Sequence, residues 1–317
     1  MDYNTMQRFE SLIRTKQLSE QEREEHRTQL LPFLLAELTA CQKRFPFLIL
    51  SEYSTLEERA VAISKILMDA DQDAQLLDLL LQIKEQANSL FLHSAQVCYI
   101  SMFLKEQELN IPSASTKQFK LYYPDIIHLG VAGLLHDIGK FLPQNGTVIP
   151  YKENMTATEK QRYRGHVINS NGLLKKKRLD GNIIQGILQH HETLDGRGFP
   201  LNLHGDRIGI AGKILAIADY YAHWMEQYKD PERTDPFAVA YILRSQNILY
   251  DSELLKKFYM GFLNALIGKE VLLSDGTTAK LLSINEKQPR KSRIELQGKQ
   301  YNLEKEETTL EIRKLLE

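Results

Sequence analysis

A mainly helical chain with a small β-stranded tail is predicted from three observations. Apolar residues recur at helical spacing through most of the 317 residues. Helix start signals punctuate that pattern. After Gly268 the period changes to that of short strands. The 43% hydrophobic content is ordinary for a globular chain and too high for a mostly disordered one. At roughly 150 residues per domain the length suggests about two domains.

The first region, 1–87, is read as helical, a packing, regulatory or dimerisation module. Ser19 with Glu22, and Ser54 with Glu57, have capping-box spacing. Pro32 is expected to kink or split the first long pattern. Leu76, Leu77, Leu80, Leu81 and Ile83 form a further apolar face.

The second region, 88–267, carries the chemistry. His93, Val97, Ile100 and Leu104 form one helical stripe. Pro124 is placed at the first position of a helix. Thr156 with Glu159 forms a capping box, and Asp180, Asp206 and Asp235 are taken as caps of the helices that follow them. The KKKR run, 175–178, is read as a solvated helix end. Residues 268–317 are expected to form four or five strands with turns at Asp275-Gly276 and Gly298-Lys299.

Composition narrows the function. Forty basic residues against 41 acidic give a formal charge of −1, without the basic surplus of a general DNA or RNA binder. Cys41 and Cys98 cannot make a disulfide framework or a four-sulfur zinc site, which points to a reducing, cytoplasmic setting. No apolar run is long enough for a membrane span, and the first residues carry no apolar signal core.

Nine histidines are present, and five fall into one ordered pattern with two aspartates and a lysine. The order is His93, His136-Asp137, Lys140, His166, His190-His191, Asp219. In LLHDIGK (134–140) and ILAIADYY (214–221) a carboxylate follows an apolar run. A buried carboxylate needs a cation or strong donors. Adjacent His190 and His191 diverge by about 100° on a helix, so both reach one ion only near a helix end or from a groove between helices.

These stretches resemble the HD phosphohydrolase superfamily, and within it the HD-GYP domain. The matching segments are HSAQV (93–97), LLHDIGK (134–140), MTATEKQRYRGH (155–166), HHETLDGRGFP (190–200) and ILAIADYY (214–221). The signature triplet stands as Gly198-Phe199-Pro200. The resemblance implies a helical bundle holding two divalent transition ions, iron or manganese, between its helices. It implies one ion on His93, His136, Asp137 and Asp219. Asp137 would bridge to a second held by His166, His190 and His191. Nitrogen and oxygen ligands without thiolate fit such ions. Ser89 stands where some members have a Glu for a third ion, so two are expected.

The implied activity is hydrolysis of cyclic di-GMP to pGpG, and in some members GMP. A hydroxide bridging the two ions attacks phosphorus, and Asp137 and Lys140 are the catalytic residues. Lys140 is expected to meet the phosphate, with Gly198, Phe199 and Pro200 shaping the pocket wall. Gly196 and Gly198 are expected to supply backbone conformations closed to other residues. The sequence departs from the family after Asp219: Ala222 replaces an Asp and Tyr228 the usual Arg, leaving Lys229 or Arg233 as substitutes. His223 and Trp224 are novel there. That asymmetry admits two alternatives, a degenerate sensor or scaffold without turnover and an HD-type di-iron oxygenase. The partners expected are therefore a cyclic dinucleotide and, through the N-terminal helices, a second copy of the chain.

Overall fold

The computed structural model describes residues 19–71, 75–110, 116–143, 145–227, 235–305 and 309–316. Tyr228, Lys229 and Arg233 lie outside the described residues, as do the side chains of Glu22 and His26. Among the described residues no helix is long and apolar enough to cross a membrane.

Packing divides the chain into two compact units. The first comprises Met1–Arg44 and Leu50–Ala222, the second Phe45–Ile49 and His223–Glu317. In the first unit the helices are α1 (Glu20–Arg44), α2 (Leu56–Ala70), α3 (Gln75–Gln86), α4 (Asn88–Leu109) and α5 (Thr116–Leu135). A short ribbon, β1 (Phe141–Leu142) with β2 (Thr147–Val148), precedes α6 (Ala157–Leu174) and α7 (Gly181–Gln189). Helix α8 (Ile210–Gln227) follows and runs past the end of this unit at Ala222.

Helix α4 is buried around its circumference, residues 93–106 without a break, so it is the axis of the bundle. His93, Val97, Ile100 and Leu104 share one side of it. Helix α1 runs unbroken through Pro32, against the expected split. Its buried stripe of Leu30, Leu34, Leu38 and Cys41 holds the helix together across the missing hydrogen bond, a loss of about 3 kcal/mol. Pro124 lies inside α5 rather than at its start. It is exposed, so water can satisfy the carbonyl it leaves unpaired. The capping box of α2 is Thr55 with Glu58, one residue beyond the expected pair. Ser54 instead contacts the Tyr123 hydroxyl at 3.1 Å.

Two buried ion pairs fasten this unit. Arg59, with no exposed surface, sits 2.7 Å from Glu106 on α4 and donates to the Ser51 carbonyl at 3.1 Å. Burial pushes the Glu106 carboxyl up, and Arg59 offsets part of that rise. Removing one member of such a pair costs about 3–5 kcal/mol. Lys177 reaches the fully buried Asp71 at 2.8 Å, and the Arg178 amide donates to the Ala70 carbonyl. The KKKR run is therefore in part a fastener and not only a solvated end.

The second unit holds α9 (Pro236–Ser245), α10 (Ser252–Asn264) and a five-stranded antiparallel sheet. Its strands are β3 (Glu270–Leu273), β4 (Thr278–Ser283), β5 (Arg293–Leu296), β6 (Lys299–Asn302) and β7 (Ile312–Leu315), in the order β6-β5-β4-β3-β7. Asp235 caps α9 as expected and also accepts from the Leu315 amide at 3.0 Å, tying the sheet to that helix. The turn between β5 and β6 centres on Gln297-Gly298, both left-handed, one residue before the expected pair.

Candidate metal centre

The seven predicted ligand residues come together inside the first unit. His93 lies on α4, His136 just past the end of α5, His166 on α6, His190 at the C-cap of α7 with His191 following, and Asp219 on α8. His93, His136, Asp137, His166, His190 and Asp219 are all buried, and His191 is half-buried. They fall into two groups, Asp137 with His166, His190 and His191, and His93 with His136 and Asp219.

Asp137 faces both groups. Its Oδ1 lies 3.1 Å from His166 Nε2 and 3.7 Å from His190 Nε2. Its Oδ2 lies 3.3 Å from His136 Nε2 and 4.0 Å from His93 Nε2. Asp219 Oδ1 is 3.0 Å from His93 and 3.6 Å from His136, and its Oδ2 is 3.8 Å from His191.

Three histidines are oriented by one local device. His136 Nδ1–H donates to the Gly133 carbonyl at 2.8 Å, His166 to Tyr163 at 2.5 Å and His190 to Ile187 at 2.6 Å. Each bond runs back three residues, to a carbonyl near the end of α5 or α7 or, for His166, inside α6. A proton on Nδ1 leaves the lone pair on Nε2 aimed at the cluster, the usual preparation of a metal-binding imidazole. The Nε2 atoms of His136, His166, His190 and His191 and Oδ1 of Asp137 are buried without a hydrogen-bond partner. Orphaned lone pairs converging on two sides of a carboxylate fit divalent cations. The C-terminal ends of α5 and α7 add partial negative charge beside His136 and His190. The cluster can hold metal ions.

Without a cation the site balances its charge internally. Lys140 is buried in a 3₁₀ turn (Ile138–Lys140) and lies 2.5 Å from Asp137 Oδ2. Burial opposes ionisation of Asp137, but His136 and Lys140 beside it hold its carboxyl well below the usual range. Burial likewise opposes protonation of His136, yet Asp137 and Asp219 raise its pKa to about 10. Burial and the Lys140 cation lower His166 to about 4, and burial with His190 lowers His191 well below the ordinary value.

These shifts set an acid limit on the metal-free protein. An unfolded histidine takes its proton near pH ~6.5, whereas folded His166 holds out to about 4. Between those values the unfolded chain binds the extra proton, so stability falls as pH falls, and His191 acts in the same direction. Chemical denaturation of the metal-free protein is expected to show stability declining from about pH 6.5 toward about 4. A flat profile across that window would contradict the assignment of two neutral buried imidazoles.

The Gly198-Phe199-Pro200 segment forms the wall beside the second group. Phe199 lies nearly parallel to His191, ring centroids 4.5 Å apart and planes at 30°. Gly198 is required by close approach and not by an unusual φ: a Cβ there would stand 2.5 Å from the His191 carbonyl oxygen and the Glu192 Cα. Gly196, at φ 73°, is the left-handed position. Asp206 lies in a 3₁₀ turn (Gly205–Arg207) and does not cap α8. Its place beside α8 is taken by Gln189, which accepts from the Gly209 amide at 2.8 Å.

Several site residues escape the sequence pattern. Glu192 is buried and accepts from the amides of Leu201 at 2.6 Å and Leu203 at 2.9 Å, holding the loop. Ser170 accepts from the Gly139 amide at 2.9 Å and donates to the His136 carbonyl at 3.0 Å, fixing the HD turn to α6. Tyr163 puts its ring 5.1 Å from the Lys140 ammonium. Ala222 is fully buried, so the position where the Asp is missing is core.

A helical bundle with a buried His/Asp cluster able to hold metal ions is the class this fold and site define. Residues 103–254 match the HD domain family model. Over those residues the chain resembles HD domain proteins. A cyclic di-GMP phosphodiesterase of Pseudomonas aeruginosa is 29% identical over 45% of this chain and 32% of its own length. Cyclic di-GMP phosphodiesterase PdeB of Borreliella burgdorferi is 24% identical over 65% of this chain and 52% of its own. A 3′3′-cGAMP-specific phosphodiesterase of Vibrio cholerae is 37% identical over 32% of this chain and 20% of its own. The chain thus spans about half or less of the length of these relatives.

Proposed function

We propose that the chain is a two-metal phosphodiesterase that hydrolyses cyclic di-GMP to linear pGpG, with further cleavage to GMP. The observation that carries this is Asp137, whose Oδ2 faces His136 Nε2 and whose Oδ1 faces His166 and His190 Nε2, all three buried and without a hydrogen-bond partner. His93, His136, Asp137 and Asp219 would hold one ion, and Asp137, His166, His190 and His191 the other, with iron or manganese the best match to these donors. Bound ions supply Lewis acidity and a water acidic enough to attack near neutral pH.

The chain's own residues do the rest. Lys140 is the buried cation in the same space, there to meet charge on the phosphate oxygens once Asp137 is engaged elsewhere. The three Nδ1–H bonds orient the imidazoles so that each presents Nε2 to an ion. Gly198, Phe199 and Pro200 bound the substrate side, and the apolar Phe199 ring limits water there. A second reading, a metal-binding module without turnover, is favoured by Ala222, which leaves no carboxylate where the family carries one.

The test is turnover. Protein reconstituted anaerobically with Fe(II) or Mn(II) is incubated with cyclic di-GMP, and products are resolved by chromatography. Appearance of pGpG is expected. A metal-loaded, folded protein that leaves the substrate intact would favour the second reading.

A further inference from the structure

Beside the cluster stands a cation that the metal chemistry does not use. Arg164 is exposed on α6, two residues before His166. Its guanidinium carbon lies 5.2 Å from the centroid of the Phe199 ring, the same ring that stacks on His191. Among the described residues no carboxylate pairs with Arg164. A guanidinium laid over an aromatic face is held in position by cation–π attraction while its N–H edges stay free. Those edges form a fork matched to the oxygens of a phosphate.

The surroundings match the same kind of ligand. Tyr151 is 61% exposed and packs edge-on against Tyr163, centroids 5.4 Å apart, leaving a ring surface open to solvent. Tyr163 in turn borders Phe199 at 6.5 Å. The rim on this side of the cluster therefore offers aromatic faces and one fixed, unpaired cation. A cyclic dinucleotide has two phosphates. Only one can be at the reacting centre, so the other needs a cation elsewhere.

We infer that Arg164, stacked on Phe199, binds the non-scissile phosphate of a cyclic dinucleotide. The inference rests on the function proposed above and deepens it.

Arg164→Ala and Arg164→Lys are compared with the wild type, all loaded with Mn(II). Binding is measured calorimetrically with cyclic di-GMP and with 3′3′-cGAMP, and turnover with cyclic di-GMP and with bis(p-nitrophenyl) phosphate, which has no second phosphate. Arg164→Ala is expected to weaken binding of both dinucleotides about ten- to a hundred-fold. Its KM for cyclic di-GMP should rise accordingly, with kcat, metal content and turnover of the small diester unchanged. Arg164→Lys should recover part of the loss, keeping the charge without the fork. Equal binding by wild type and Arg164→Ala would overturn the inference, as would a loss confined to one of the two dinucleotides, which would mark base recognition. If the wild type binds but turns over neither substrate, while Arg164→Ala binds more weakly, the inference stands and the enzymatic reading falls. Wild type that does not bind either dinucleotide overturns both.

Discussion

Asp137→Asn is expected to abolish phosphodiesterase activity, by on the order of 10⁴-fold, the scale on which losing one member of a catalytic unit acts. The change keeps the shape of the side chain and removes its charge. Asp137 faces one group of histidines with Oδ1 and the other with Oδ2, so each of the two proposed ions would lose a ligand at once. An amide also brings an N–H donor to a position that requires lone pairs. Elemental analysis should fall from close to two ions per chain to less than one. The same substitution leaves Lys140 buried without its counter-charge, so a lower melting temperature should accompany the loss. Full activity in Asp137→Asn would eliminate the two-ion mechanism.

Gly139→Ala, far milder on paper, is expected to damage the protein nearly as badly. A Cβ at this position would stand 2.5 Å from the Ser170 nitrogen and closer still to the His166 carbonyl oxygen. Both are backbone atoms of α6, which cannot turn aside as a side chain does. The HD turn and α6 must then separate. The Ser170 bridge between the Gly139 amide and the His136 carbonyl breaks with them. Overpacking costs about 1–3 kcal/mol and occasionally more, and a backbone collision belongs at the upper end. Separation also moves His166 away from Asp137, so metal uptake should fail even in the folded fraction. Urea denaturation and metal analysis measure the two effects; unchanged values for both would show that the turn has slack.

The residues of the His/Asp cluster were legible in the sequence because such a pattern is rare there. Charged Asp137 and Asp219 follow apolar runs, and His190 and His191 are adjacent, a pair that needs a helix end such as the one His190 caps. Helix starts with both partners of a box or a proline at the first position, Thr156 and Asp235, were equally legible. Pro32 does not split α1 and Pro124 does not start α5, because a local penalty of about 3 kcal/mol is outweighed by burial or relieved by solvent, and neither is written in the neighbouring residues. Thr55 and Ser54 offer the same oxygen to the same helix, so propensity alone could not choose between them. Glu192, Ser170 and Arg164 stayed hidden for another reason. Their partners are backbone amides, a carbonyl and a ring brought to them by the loop or by other elements, and no periodicity records such meetings.

Glu192 gives the signature loop a fixed form. Its carboxylate gathers the amides of Leu201 and Leu203 from the far side of the loop, so 192–203 is closed into a ring fastened next to His191. The pocket wall is thus preorganised: little conformational entropy remains to be lost there when a ligand arrives, and affinity benefits by that amount. Phe199, carried on this ring, packs against the His191 imidazole with centroids 4.5 Å apart. Disorder in the loop would therefore reach the His/Asp cluster through this ring contact.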